Sequence, residues 1–303
     1  MLNQASSTCL ASLVASASVE ISSRGHQLQA LRDNFAPGTD VTITFLPGDN
    51  YSYNVETAAA LRRAGFNPIP HIAAREIASR KALDDFLSRL RGEADVRRVL
   101  LIAGDVAGAR GPFKSGGDVR ASGLLEAHSI TRVSVAGHPE GHPYLDEAGA
   151  FDVLKAWRNW GWETSTHIDV VTQFCFESAP ILALLGRLAA RGIDLPVIVG
   201  LAGPATPATL TKFALRCGIG NSIRAVRGHI GRYGRLLTDS GPEDVMRGLA
   251  AAPRPVTEAI AGFHLFPFGG LRKSGNWLRD YHEEVAREIC NHSPRRPGEG
   301  RDP

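Results

Sequence analysis

Short β-branched runs alternate with amphipathic stretches along nearly the whole chain, and this alternation restricts the fold more than any other feature. The runs are VASASVEI (14–21), DVTITFL (40–46), NPIPHIAA (67–74), RRVLLIAG (97–104), TRVSVAG (131–137), HIDVVTQFCF (167–176), LPVIVGLAG (195–203) and IAGFHLFPF (260–268). Several are apolar at consecutive positions, as strands covered on both faces of a parallel sheet are. Between them, VETAAALRRAG (55–65), KALDDFLSRLRGEA (81–94), AGAFDVLKAWRNW (148–160), PILALLGRLAARG (180–192) and PATLTKFALRCG (207–218) carry apolar residues at helical spacing. Gly65, Gly192 and Gly218 close three of them in the manner of left-handed caps. Strands alternating with helices predict an α/β protein with a parallel sheet. Eight strands close a (β/α)₈ TIM barrel, read here as a single domain over residues 1–290 with a flexible tail at 291–303. An open doubly wound sheet is the alternative. VEISSRGHQ lacks its glycine fingerprint, and GIGNS (218–222) follows a helix instead of a strand.

With 303 residues, 43% of them hydrophobic, the chain needs no disulfide or metal to staple its core. Its 34 basic against 31 acidic residues give a net charge of +3, and no basic run suggests a nucleic-acid partner. Cys9, Cys175, Cys217 and Cys290 show no CxxC spacing and read as reduced thiols of a cytoplasmic protein. No apolar stretch reaches the ~20 residues of a membrane span. TCLASLVASASVEI (8–21) lacks the basic start of a signal peptide and is expected to lead into the first strand.

In a barrel of this kind, chemistry gathers at the C-terminal strand ends. The polar residues there are Glu20, Thr44, His71, Gly104 with Asp105, His138, Glu140, His142, Gln173, Glu177 and His264. Glu20 stands out, because a carboxylate inside a strand is costly to bury as an anion. Burial would raise its pKa and suit it to donate a proton near neutral pH. The plainer alternative is a rim position paired with an arginine. GHPEGHP (137–143) offers His138, Glu140 and His142, which a loop can bring onto a metal together with Asp105; a metal-dependent hydrolase or lyase therefore stays open. No GxSxG elbow or Walker loop occurs, and Cys175 has no adjacent histidine to activate it.

Taken in order, IPHIA (69–73), LLIAGD (100–105), SVAGHPEGHP (134–143), VTQFCFE (171–177) and GFHLFPF (262–268) resemble the segments PHLTC, LRGD, AxYPExHP, TQFFFD and GxHFYTLN of the methylenetetrahydrofolate reductase family. The resemblance runs from about Val19 to His264. It implies a flavin-containing barrel that interconverts 5,10-methylenetetrahydrofolate and 5-methyltetrahydrofolate, with FAD as cofactor and NADH or NADPH as electron donor. It implies Glu20 as the acid that protonates a folate bridge nitrogen, and Asp105 beside flavin and pterin. It also implies Gln173 as a reader of the pterin. Thr44, Phe45, His71, Ala103, Gly104, Ser122, His138 and His142 then fall on flavin-contacting positions. No metal is implied, and the family's members generally form homo-oligomers. Ala103 and Phe45 depart from the family's arginine and tyrosine. Asp152, Lys155 and Arg158 match its phosphate-gripping residues by position only. A barrel that binds folate without catalysis is the non-enzymatic alternative.

Overall fold

The computed structural model describes residues 13–216 and 241–292, apart from Ala15, Gly25, His26, Pro47, Asp105, Ala107 and Pro143; side chains at 286 and 288–292 are also outside the described set. Gly218, Asp105 and the expected tail (except the backbone of residues 291 and 292) therefore lie outside the described residues.

Eight strands form a closed barrel in sequence order. They are β1 (Ser18–Ser22), β2 (Asp40–Thr44), β3 (Asn67–Ala73), β4 (Arg98–Ile102), β5 (Arg132–Gly137), β6 (His167–Thr172), β7 (Val197–Ala202) and β8 (Ile260–Phe266). Every pairing is parallel, and closure sets Ser18 opposite His264 and Val19 opposite Leu265. The protein is a (β/α)₈ barrel.

The outer helices are α1 (Leu28–Asn34), α2 (Tyr51–Arg63), α3 (Arg80–Ala94), α4 (Gly116–Ala121), α5 (Leu124–Ala127), α6 (Glu147–Thr164), α7 (Ser178–Ala190), α8 (Pro207–Arg216), α9 (Glu243–Ala251), α10 (Arg254–Thr257) and α11 (Leu271–His292). Their starts follow capping chemistry. Asn50 accepts from the Ser52 N–H, Ser79 from Ala82 and Asp146 from Gly149, while Ser115 and Asp118 make a reciprocal capping box. Gly65 and Gly192 have positive φ, as their cap role requires. No helix among the described residues is long and apolar enough to cross a membrane.

Strand alternation divides the apolar residues into two sets. Val19, Ile43, Ile72, Leu101, Val135, Val170, Val199 and Leu265 belong to the large core between sheet and helices. Ile69, Leu100, Val171 and Ile198 form a separate cluster inside the barrel. Their neighbours of the same parity also face the axis, and these are mostly polar.

Below the apolar layer, at the N-terminal strand ends, Arg98 bonds Asp40 at 2.6 Å and approaches Asp169 at 3.6 Å. Arg132 reaches the same fully buried Asp169 at 2.6 Å. Charge neutralisation lets this end close without a hydrophobic plug. Above the apolar layer, toward the C-terminal rim, stand Glu20, His71 and His264.

Two boundaries differ most from the sequence expectation, while other strand ends shift by about one or two residues. Leu13 and Val14 are helical, so β1 starts at Ser18. β6 ends at Thr172 instead of Phe176, and beyond it Cys175 keeps only an isolated bridge to Leu201.

Candidate active site

Glu20 projects from the third position of β1, in register with Thr42. Its Oε2 lies 3.8 Å from His71 Nε2 and 4.0 Å from His264 Nε2. These distances exceed a hydrogen bond. Burial pushes the Glu20 carboxyl up to about 8 and both imidazoles down to about 3; repulsion from His71 and from Arg98 adds to the effect on His264. At neutral pH the acid keeps its proton and both rings are uncharged. Three ionisable groups thus share the barrel interior with no net charge, which removes most of the desolvation cost. The arginine-paired rim position is not what forms: Arg24, the nearest arginine in sequence, pairs with Asp49.

Barrel closure supplies a further contact. His264 Nδ1 is 2.9 Å from Ser18 Oγ, and that hydroxyl is 3.3 Å from the Phe263 carbonyl. Ser18 has one proton. Donating it to Phe263 satisfies both contacts, because Oγ then accepts from Nδ1–H. In that tautomer His264 presents the Nε2 lone pair toward the protonated Glu20. The Nε2 atoms of His71 and His264, and Thr42 Oγ1, are buried without a hydrogen-bond partner in the protein.

The rim above is built by the loops after β3 to β8. Gly104 has φ +92°, and a Cβ there would lie 3.4 Å from that of Ala73, so glycine turns the chain where β3 and β4 end. His142 Nδ1 accepts the N–H groups of Tyr144 and Leu145, both at 3.1 Å. Its remaining nitrogen, Nε2, is therefore a donor. His138 stands edge-on to His142 at 4.6 Å, and burial together with His142 pushes it down to about 4. Thr44 donates to the Ile21 carbonyl at 3.2 Å. The Gln173 N–H donates to Gly137 at 2.8 Å, and its side-chain oxygen accepts from Phe174 at 3.1 Å.

Across the barrel, Phe174, Phe176, Phe213, Phe266 and Phe268 form an aromatic wall, with His264 packed on Phe266 at 4.7 Å. Gly200 makes room for it. A Cβ there would lie 2.9 Å from the Phe266 ring and 2.3 Å from the Thr172 carbonyl.

Of the sequence candidates, Glu20 and His71 meet directly, while Thr44, Gly104, His138, His142 and Gln173 stand at the ends of neighbouring strands. Ala103 joins through its main chain, accepting the Arg75 N–H at 2.9 Å. Three residues do not join. Phe45 stacks on Tyr51 at 4.2 Å in the outer layer. Ser122 caps α4, its hydroxyl donating to Val119 at 2.6 Å and its carbonyl held by Arg80. Arg158 pairs with Asp194, which precedes β7, and lies 3.8 Å over Trp162. Cys175 is buried and its thiol is pushed well above its ordinary range, which suits packing. Among the described residues no three His, Cys, Asp or Glu side chains are grouped as metal ligands would be. Ser18 was missed by sequence reasoning, and His264 was recognised at a strand end without a role. No protein-family model matches the chain.

Proposed function

We propose that this chain is a flavin-dependent methylenetetrahydrofolate reductase, which interconverts 5,10-methylenetetrahydrofolate and 5-methyltetrahydrofolate with NADH or NADPH as the electron partner. One observation carries the reading beyond the motif resemblance. A single carboxylic acid is held neutral up to about pH 8 near the C-terminal end of the barrel, beside two uncharged imidazoles. That is the equipment of a proton donor working at neutral pH.

The residues present fit a flavin. Its pyrimidine edge alternates N–H and carbonyl groups, and the buried unpartnered atoms of Thr42, His71 and His264 offer matching donors and acceptors. Thr44, His71, Gly104, His138 and His142 would hold it, with the His142 Nε2–H directed to an acceptor. When bound, FAD supplies the acceptor and donor of hydride.

The chain's own contribution begins with Glu20. Its proton goes to a bridge nitrogen of the methylene-folate, and the C–N bond at that nitrogen breaks with its electron pair remaining on nitrogen. The one-carbon unit becomes an iminium on the other nitrogen, ready to take hydride as a methyl group. Gln173 contributes an amide that both donates and accepts, suited to the pterin edge. His264, fixed by Ser18, turns its Nε2 lone pair toward the Glu20 carboxyl across 4.0 Å, and so favours the protonated form of the acid that the reaction needs. In the oxidative direction the same groups act in reverse.

Glu20→Gln tests this reading. It keeps the shape and removes the acid, so reoxidation of the reduced enzyme by methylenetetrahydrofolate should fall at least about 100-fold. Flavin reduction by the nicotinamide should change little. Equal loss in both half-reactions would refute the role of Glu20.

A further inference from the structure

We infer that Arg75 is an anion-binding residue of this site and, with the His142 Nε2–H, takes a phosphate of the bound flavin nucleotide; the inference rests on the flavin reading above. Arg75 follows β3 and is half-buried, with its N–H donated to the Ala103 carbonyl. Its Nε donates to the Lys114 carbonyl at 3.0 Å and its Nη1 to the Val106 carbonyl at 3.5 Å. The guanidinium lies 5.6 Å from the centre of the Tyr144 ring, and its charge contributes to holding the His142 pKa down.

Two carbonyls orient this cation without neutralising it. Among the described residues no carboxylate lies within ion-pair distance of Arg75, whereas Arg24, Arg110 and Arg158 pair with Asp49, Glu76 and Asp194. A half-buried guanidinium held by main-chain acceptors, with N–H groups left over, has the chemistry of a preorganised phosphate site. His142 adds a neutral donor beside it, fixed in tautomer by the N–H groups of Tyr144 and Leu145. Both side chains stand at the rim beside the Gly104 turn, where a nucleotide's phosphates would leave a ring seated over Glu20.

Flavin fluorescence titrations with FAD, FMN and riboflavin test the inference, since only the first two carry phosphate. Arg75→Ala should weaken FAD and FMN binding about tenfold or more and leave riboflavin unchanged. Arg75→Lys should recover part of the loss. Equal weakening of all three ligands would mean that Arg75 acts by holding the 103–115 loop, and would overturn the inference, as would no change at all. Should the unaltered protein bind none of the three, the flavin reading fails, and calorimetry with inorganic pyrophosphate decides the rest. Pyrophosphate binding that Arg75→Ala abolishes upholds the anion site; no pyrophosphate binding overturns it.

Discussion

Glu20→Gln should change how stability depends on pH in a way that isolates the buried acid. With its carboxyl raised to about 8, the folded state keeps a proton that the unfolded state sheds above its ordinary 4.5. Stability from this group is fully present below 4.5 and falls as pH rises, until about 8. At about 1.36 kcal/mol per pH unit, the loss reaches about 5 kcal/mol. Solvent screening reduces it, because 19% of the side chain is exposed. His71 and His264 act in the opposite sense: held down to about 3, they cost stability as pH falls below their ordinary 6.5. The unaltered protein should therefore be most stable near pH 6.5 and weaken toward pH 8, while Glu20→Gln should level off above 6.5. Denaturant titrations from pH 5 to 9 should show the variant gaining up to about 4 kcal/mol on its parent across that range. Parallel curves would refute the claim that Glu20 is held neutral.

The opposite end of the barrel should matter for stability alone. Asp169→Ala leaves Arg132 without its carboxylate and Arg98 with Asp40 alone, and should cost about 3–5 kcal/mol by denaturant titration, yet leave kcat nearly unchanged, because burial and not the charges at that end sets the Glu20 carboxyl. Gly200→Ala would place a methyl carbon 2.3 Å from the Thr172 carbonyl and 2.9 Å from the Phe266 ring. It should cost about 1–3 kcal/mol, and an unchanged melting temperature would contradict the close packing described.

The barrel was legible because each strand–helix unit signals itself locally through its apolar spacing. The short helices α4 and α5 gave little periodicity to read. α11 spreads Leu271, Trp277, Leu278, Tyr281 and Val285 among charged residues, so its apolar stripe is sparse. The site was legible only as a list of strand-end residues. Ser18 and His264 are 246 positions apart, and only the β1–β8 register that closes the barrel brings them together. Parity within each strand also decided which candidates face inward. Thr44 shares the inward parity of Thr42, whereas Phe45, one residue on, falls in the outer layer against Tyr51. Arg75 carried no sequence signal, since its place beside Ala103 depends on how β3 and β4 end together.

The central claim, a flavin site that acts on one-carbon folates, meets its most direct test in the visible absorption spectrum of the purified protein after addition of FAD. The account predicts protein-bound flavin bands that bleach anaerobically with NADH or NADPH and return on adding methylenetetrahydrofolate. A protein that takes up no FAD, or a reduced flavin that the folate leaves reduced, would contradict it.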